Sequence, residues 1–273
     1  MTRMKSLVNL NRVAIAGVIN LSEESFYKGS IFHSENSIIK KAKELVSEGA
    51  DIIDIGAVST APGAPYIPLK EEVRRLKDVL KPLRKAVDVP LSIDTQRSAV
   101  AEMALAAEFD VVNDVSGLKS DERIADVVSQ YGATLVVMAC NKKPGDAYTI
   151  SQALHYLSKS IEIAKRYGVK EQDIIVDPGI GFGKPISADL SLINNLDYLK
   201  RSLKKPILIG VSRKRFIGEI LGVSVEDRLY GSIGATIIAV ARGANFIRTH
   251  DVKPTLQAVR VAEAILSSGR CIS

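Results

Sequence analysis

Residues 49–56 read GADIIDIG, and residues 243–251 read GANFIRTHD. Each stretch opens on a glycine able to stop a helix, runs on as a short β-branched or aromatic segment, and ends in polar residues. The pattern recurs along the chain. Apolar runs fall at 13–19 (VAIAGVI), 51–56 (DIIDIG), 90–94 (PLSID), 110–114 (DVVND), 134–139 (TLVVMA), 173–177 (DIIVD), 206–211 (PILIGV) and 245–249 (NFIRT). Between them, periodicity and caps predict helices over 35–48, 70–86, 97–107, 120–130, 151–167, 187–201, 213–242 in two pieces, and 253–268.

Near-continuous apolar strands alternating with helices are those of a parallel sheet buried on both faces. The runs are evenly spaced, and polar residues follow nearly every one rather than gathering at a single crevice. The sequence therefore predicts the α/β class: one domain over residues 1–273, a single (β/α)8 TIM barrel rather than a doubly wound open sheet. The connections at 20–34 and 57–69 are longer than such loops need, which predicts long loops after strands 1 and 2 at the active face.

Composition narrows the function classes. With 273 residues and 46% hydrophobic content the chain can bury a full core. No apolar run is long enough to cross a membrane, and the amino end lacks a leader pattern, so no membrane partner and a cytoplasmic location are expected. Cys140 and Cys271 cannot make a disulfide framework. The net charge of +6 favours anionic ligands, but the basic residues are scattered, so no nucleic-acid partner is expected.

The candidate chemistry sits where strands end. Asn20 can offer its carbonyl to a hard cation. Asp94, Asn113, Asp114 and Asp177 converge on the barrel mouth, where carboxylates match the N–C–N donor edge of a pterin or guanine ring. Each Asp fits equally well as the cap of a following helix or turn. Residues 177–184 (DPGIGFGK) give a flat ligand close access, and Pro178 and Pro185 exclude a Walker loop. Ser212-Arg213-Lys214 opens a helix whose N–H groups and cations suit an anion or an electron-rich ring. Arg248, His250 and Asp251 stand before the last helix, where such barrels commonly hold phosphate; a salt-bridged rim is the alternative.

Taken together, GVINLSEESF (17–26), EGADIIDIGAVSTAPGA (48–64), LSIDT (91–95), DVVNDVSG (110–117), DIIVDPGIGFGK (173–184), LIGVSRKRFIG (208–218) and ANFIRTHDV (244–252) resemble the dihydropteroate synthase family of pterin-binding barrels. The order of the segments matches over nearly the whole chain. The resemblance implies a transferase that condenses 6-hydroxymethyl-7,8-dihydropterin pyrophosphate with p-aminobenzoate, forming a C–N bond and releasing pyrophosphate with Mg2+ as cofactor. It implies that Asp94, Asn113, Met138, Asp177, Phe182 and Lys214 hold the pterin, with Lys214, Asp94 and Asp177 catalytic. It places Thr60, Pro62, Ser212 and Arg213 at the arylamine, and Asn20 with cationic Arg248 and His250 at the pyrophosphate, Asn20 also ligating the metal. It implies a homodimer through the carboxyl-terminal helices.

Three departures from the family pattern stand out. Ser22, Glu23 and Glu24 replace Thr, Pro and Asp in the first loop, Ala61 replaces an Arg, and Ala139 replaces a His. They leave open a different arylamine acceptor or a pterin-binding module without synthase activity. Lys28 is a candidate to restore the charge lost at position 61.

Overall fold

The computed structural model describes residue 4 and residues 12–21, 35–59 and 63–268. Ser22, Glu23, Glu24, Lys28, Thr60, Ala61 and Pro62 lie outside the described residues.

Eight strands alternate with helices: β1 (Ala14–Asn20), α1 (Glu35–Ser47), β2 (Ile52–Gly56), α2 (Leu69–Leu76), α3 (Leu80–Ala86), β3 (Leu91–Asp94), α4 (Ser98–Ala106), β4 (Val111–Asp114), α5 (Arg123–Tyr131), β5 (Thr134–Met138), α6 (Ile150–Arg166), β6 (Ile174–Asp177), α7 (Ile186–Asn194), α8 (Leu196–Leu203), β7 (Leu208–Ile209), α9 (Arg215–Leu221), α10 (Leu229–Ala241), β8 (Phe246–Thr249) and α11 (Val252–Ser267). All pairings are parallel, in the order β6-β5-β4-β3-β2-β1-β8-β7. A bridge between Val176 and Ile207 brings β6 against β7, and the strands form a (β/α)8 barrel.

Three details differ from the sequence expectation. The strand expected over 206–211 keeps a ladder only at Leu208–Ile209. Pro206 has no N–H to donate, and the Asn245 side chain takes the Ile207 N–H at 3.1 Å. The helix expected over 70–86 is two helices, because Pro82 cannot join a continuous run without clashing with the carbonyl four residues back. The helix expected over 187–201 breaks at Asn195, whose side-chain amide donates to the Ser191 carbonyl at 2.8 Å in place of a regular turn.

Strand alternation sorts the side chains into two cores. Leu91, Ile93, Ile53 and Ile55 point outward and pack under the helices with Leu45, Leu76 and Leu83, all fully buried. Ala14, Ala16, Ile52, Val111, Val136, Ile175, Leu208 and Phe246 point inward and fill the lower barrel, with Met4 packed among them. Above this apolar plug, Asp54, Ser92 and Arg248 start a polar layer. The plug makes the lower barrel a packed core, so only the carboxyl-terminal mouth is left to hold a ligand.

Candidate active site

A cavity of about 330 Å³ opens at the carboxyl ends of the strands. Asn20 of β1, Asp94 of β3, Asn113 of β4, Asp177 of β6, and Arg248 and His250 at the end of β8 face it, with Phe182 and Lys214 from the loops after β6 and β7. A second cavity of about 510 Å³ adjoins it and shares Val58, Ser59 and Asp94.

Arg248 anchors the polar layer. Its Nε donates to Asp54 Oδ2 at 2.6 Å and its Nη2 to Asp94 Oδ2 at 3.0 Å. Burial works against the guanidinium charge, but the attraction of Asp54 and Asp94 outweighs it and raises the pKa further. Among the described residues, the other oxygens, Asp54 Oδ1 and Asp94 Oδ1, are buried without a hydrogen-bond partner, as is Asn113 Oδ1. A buried acceptor left unpaired costs roughly 1–3 kcal/mol. Asp94 and Asn113 both line the cavity, so acceptor capacity that the protein leaves unused lies at its wall.

Burial lifts Asp94 to about 7 despite the attraction of Arg248, with the nearby Asp54, Glu72 and Asp114 adding to the rise. Asp177 is also raised by burial, against the Gly179 N–H that it accepts at 2.6 Å and the cations Lys214, Lys184 and Arg248. Lys214 is pulled down to about 8 by burial and by Arg248, against the attraction of Asp177, Asp189 and Asp94. Its ammonium stands 4.5 Å above the Phe182 ring centroid, a cation–π contact.

Asp114 takes the capping alternative. Its oxygens accept from Ser116 N at 2.8 Å and Leu118 N at 2.6 Å, closing the turn after β4. Met138 is fully buried beneath Gly179 rather than on the cavity wall. Ser212 sits behind His250, its Oγ accepting from His250 N at 3.2 Å and meeting Nδ1 at 3.0 Å. Arg213, expected on the arylamine rim, does not line the cavity. The backbone turns through φ 55° there, and the guanidinium donates to Asp251 at 2.9 and 2.8 Å and to the carbonyls of Val225 and Glu226 at 2.9 and 2.8 Å. Arg215 and Arg228 line the wall instead.

His250 differs from the expected cation. Burial, then repulsion from Arg248, Lys214 and Arg213, lowers its pKa to about 3, so in the free protein it is a neutral hydrogen-bonding ring. Asp54 is the site residue that sequence reading passed over. It lies inside an apolar strand with the inward parity of Ile52, and a carboxylate at such a position is the signal that could have found it.

Among the described residues no three His, Cys, Asp or Glu side chains cluster as a metal site. Asn20 is an oxygen donor on the cavity wall. Mg2+ keeps several waters and binds largely through substrate phosphates, so an amide oxygen such as that of Asn20 suits a metal–diphosphate complex.

A nearly closed (β/α)8 barrel whose mouth is lined by carboxylates, an amide and cations is the architecture of an enzyme with its site at the carboxyl ends of the strands. Residues 16–250 match the family described as pterin binding enzyme. The chain is 37% identical to the dihydropteroate synthase of Clostridium beijerinckii over 93% of this chain and 95% of that one. It is 39% identical to that of Synechocystis sp., covering 93% and 90%. A solved dihydropteroate synthase of Xanthomonas albilineans, with 4-aminobenzoic acid, superposes with a TM-score of 0.86 at 34% identity, covering 94% of each chain. The chain belongs to the dihydropteroate synthase family.

Proposed function

We propose that this protein condenses 6-hydroxymethyl-7,8-dihydropterin pyrophosphate with p-aminobenzoate to give 7,8-dihydropteroate and pyrophosphate. The observation that carries this reading is that Asp94 and Asn113, each with a buried oxygen lacking a partner among the described residues, line the same cavity as Lys214. The pterin ring donates its N–H groups to Asp94, Asn113 and Asp177, while Lys214 donates to its acceptors and Phe182 shields one side. Arg248 and His250 face the diphosphate, Arg248 with full charge and His250 as a hydrogen-bond donor. Asn20 would hold Mg2+ together with the diphosphate oxygens; when bound, the ion supplies positive charge against the leaving group.

The C–O bond to the diphosphate breaks with its electron pair on oxygen. The lone pair of the arylamine forms the new C–N bond at the methylene, and the amine proton leaves to solvent. Positive charge that develops on the ring is offset by the buried carboxylates, which are already in place when the bond breaks. No side chain needs to act as a nucleophile. The arylamine enters beside Phe182, Lys214 and the exposed Arg215, with Ser212 and Arg213 supporting that wall from behind; Thr60 and Pro62 complete the reading of this subsite from sequence.

The protein acts as a homodimer in this reading. Ile220, Leu221, Tyr230, Ile238, Val261 and Ile265, all on α9, α10 and α11, are half to four-fifths exposed and supply apolar surface for a second copy. No helix among the described residues is long and apolar enough to cross a membrane. A cytoplasmic setting agrees with Cys140 as a free, buried thiol.

Mass-spectrometric detection of 7,8-dihydropteroate tests the function. Wild type forms it, and a Lys214→Ala variant with an unchanged circular dichroism spectrum does not. Product from the variant at the wild-type rate, or none from wild type, overturns the assignment.

A further inference from the structure

Lys184 is the bulkiest fully buried side chain among the described residues, only 1% exposed, and the chemistry proposed above does not use it. It closes the glycine-rich turn DPGIGFGK, with a side chain long enough to reach solvent. The structure instead folds it back beneath that turn, where Nζ donates to the Gly179 carbonyl at 2.6 Å. Gly179 is in the left-handed region at φ 76°, and its N–H donates to Asp177 Oδ1. One residue is thus held from both sides, its carbonyl by a buried ammonium and its N–H on the carboxylate of the cavity. A second tether holds the turn farther on, where Asp189 Oδ1 accepts from Gly181 N at 2.9 Å.

A buried ammonium is costly unless something offsets it, and a neutral side chain of similar length would fill the same space without that cost. The ammonium keeps a charge-assisted bond on Gly179 and a positive charge near Asp177, two effects that methionine lacks. Resting on the pterin-site reading above, we infer that Lys184 is a positioning residue, which through Gly179 sets the orientation of the Asp177 carboxylate toward the substrate ring.

The electrostatic surroundings agree. Asp177 faces Lys184 of the glycine turn, Lys214 of the loop after β7 and Arg248 of β8, all of which favour its charged form against burial. Lys184 in turn faces Asp189 of α7, Asp177 of β6 and Asp146 of the loop after β5, which support its charge while burial lowers its pKa. Removing the ammonium takes away one of three cations that oppose protonation of Asp177, so the carboxylate then protonates at higher pH.

The test is Lys184→Met in the full chain, with steady-state kinetics and a 13C-carboxyl titration of labelled aspartates, Asp177 being assigned by its absence in Asp177→Asn. Expected are a KM for the pterin pyrophosphate raised at least tenfold, a KM for p-aminobenzoate within twofold of wild type, and an Asp177 midpoint at higher pH. A residue that only fills space lowers Tm and leaves the midpoint and the KM ratio alone; that result overturns the inference. If Lys184→Met does not fold, Lys184→Gln, which keeps a donor and loses the charge, is read by the same midpoint. Wild type that binds no pterin sinks the site reading itself, whereas wild-type turnover with an unmoved midpoint in the variant sinks the Lys184 role alone.

Discussion

Replacing Gly181 by alanine separates backbone strain from disturbance of the site. Gly181 has φ 78°, and a Cβ built there would lie 2.5 Å from Lys214 Cδ, 3.0 Å from Cγ and 3.2 Å from Cβ. The left-handed backbone costs an L-residue roughly 1–2 kcal/mol, or a Tm loss of about 2–8 °C for a chain of this size. The clash runs along the whole stem of Lys214, so moving the tip of the side chain does not relieve it. The ammonium must shift from its place 4.5 Å over Phe182, and a misplacement on the order of 1 Å costs up to about 100-fold in rate. Gly132 supplies the control. It caps α5 at φ 62°, with nothing within 4 Å of an added Cβ. Differential scanning calorimetry is expected to show similar Tm losses for Gly181→Ala and Gly132→Ala, whereas kcat/KM for the pterin substrate falls by about 10- to 100-fold only in Gly181→Ala. Equal kinetics in the two variants would refute the reasoning.

Arg213→Met leaves the partly exposed Asp251 without its bidentate partner and is expected to destabilise the fold by about 1–3 kcal/mol in urea unfolding; an unchanged unfolding midpoint contradicts the clamp. The pH dependence follows from Asp94, whose pKa lies near 7 in the free protein, above its ordinary value. Below that pH the group carries a proton and above it is the acceptor the ring needs, so pterin affinity measured by calorimetry is expected to weaken as pH falls from 8 to 6, by up to about tenfold per unit. The weakening disappears in Asp94→Asn if the assignment holds. Sedimentation velocity is expected to show a dimer that Val261→Lys with Ile265→Lys converts to monomer; a monomeric wild type removes the proposed interface.

The fold was legible because its strands are buried on both faces, so DIIVD or TLVVMA reads as a strand without its neighbours. The shrinkage of β7 was not, since it depends on Asn245, just before β8, competing for the N–H of Ile207. Pro82 carries a local signal for the break between α2 and α3 that a single helix over 70–86 ignores, whereas Asn195 as a helix breaker depends on which backbone group its amide reaches. Asp94, Asn113 and Asp177 stood out as polar residues ending apolar runs, and the structure brings them to one cavity. In the run of three cations at 213–215, no local pattern tells which faces the ligand. The choice follows from the left-handed turn at Arg213 and from Asp251, 38 residues away. His250 reads as a cation in sequence because its neighbours there do not reveal the burial and the three guanidinium and ammonium groups that keep it neutral.

The most direct test of the account is pyrophosphate release from 6-hydroxymethyl-7,8-dihydropterin pyrophosphate with Mg2+, measured with and without p-aminobenzoate and set against product formed. The account predicts one pyrophosphate released for each 7,8-dihydropteroate made, with both lost in Lys214→Ala. Tight binding of the pterin with neither product, in the presence of p-aminobenzoate, would contradict it.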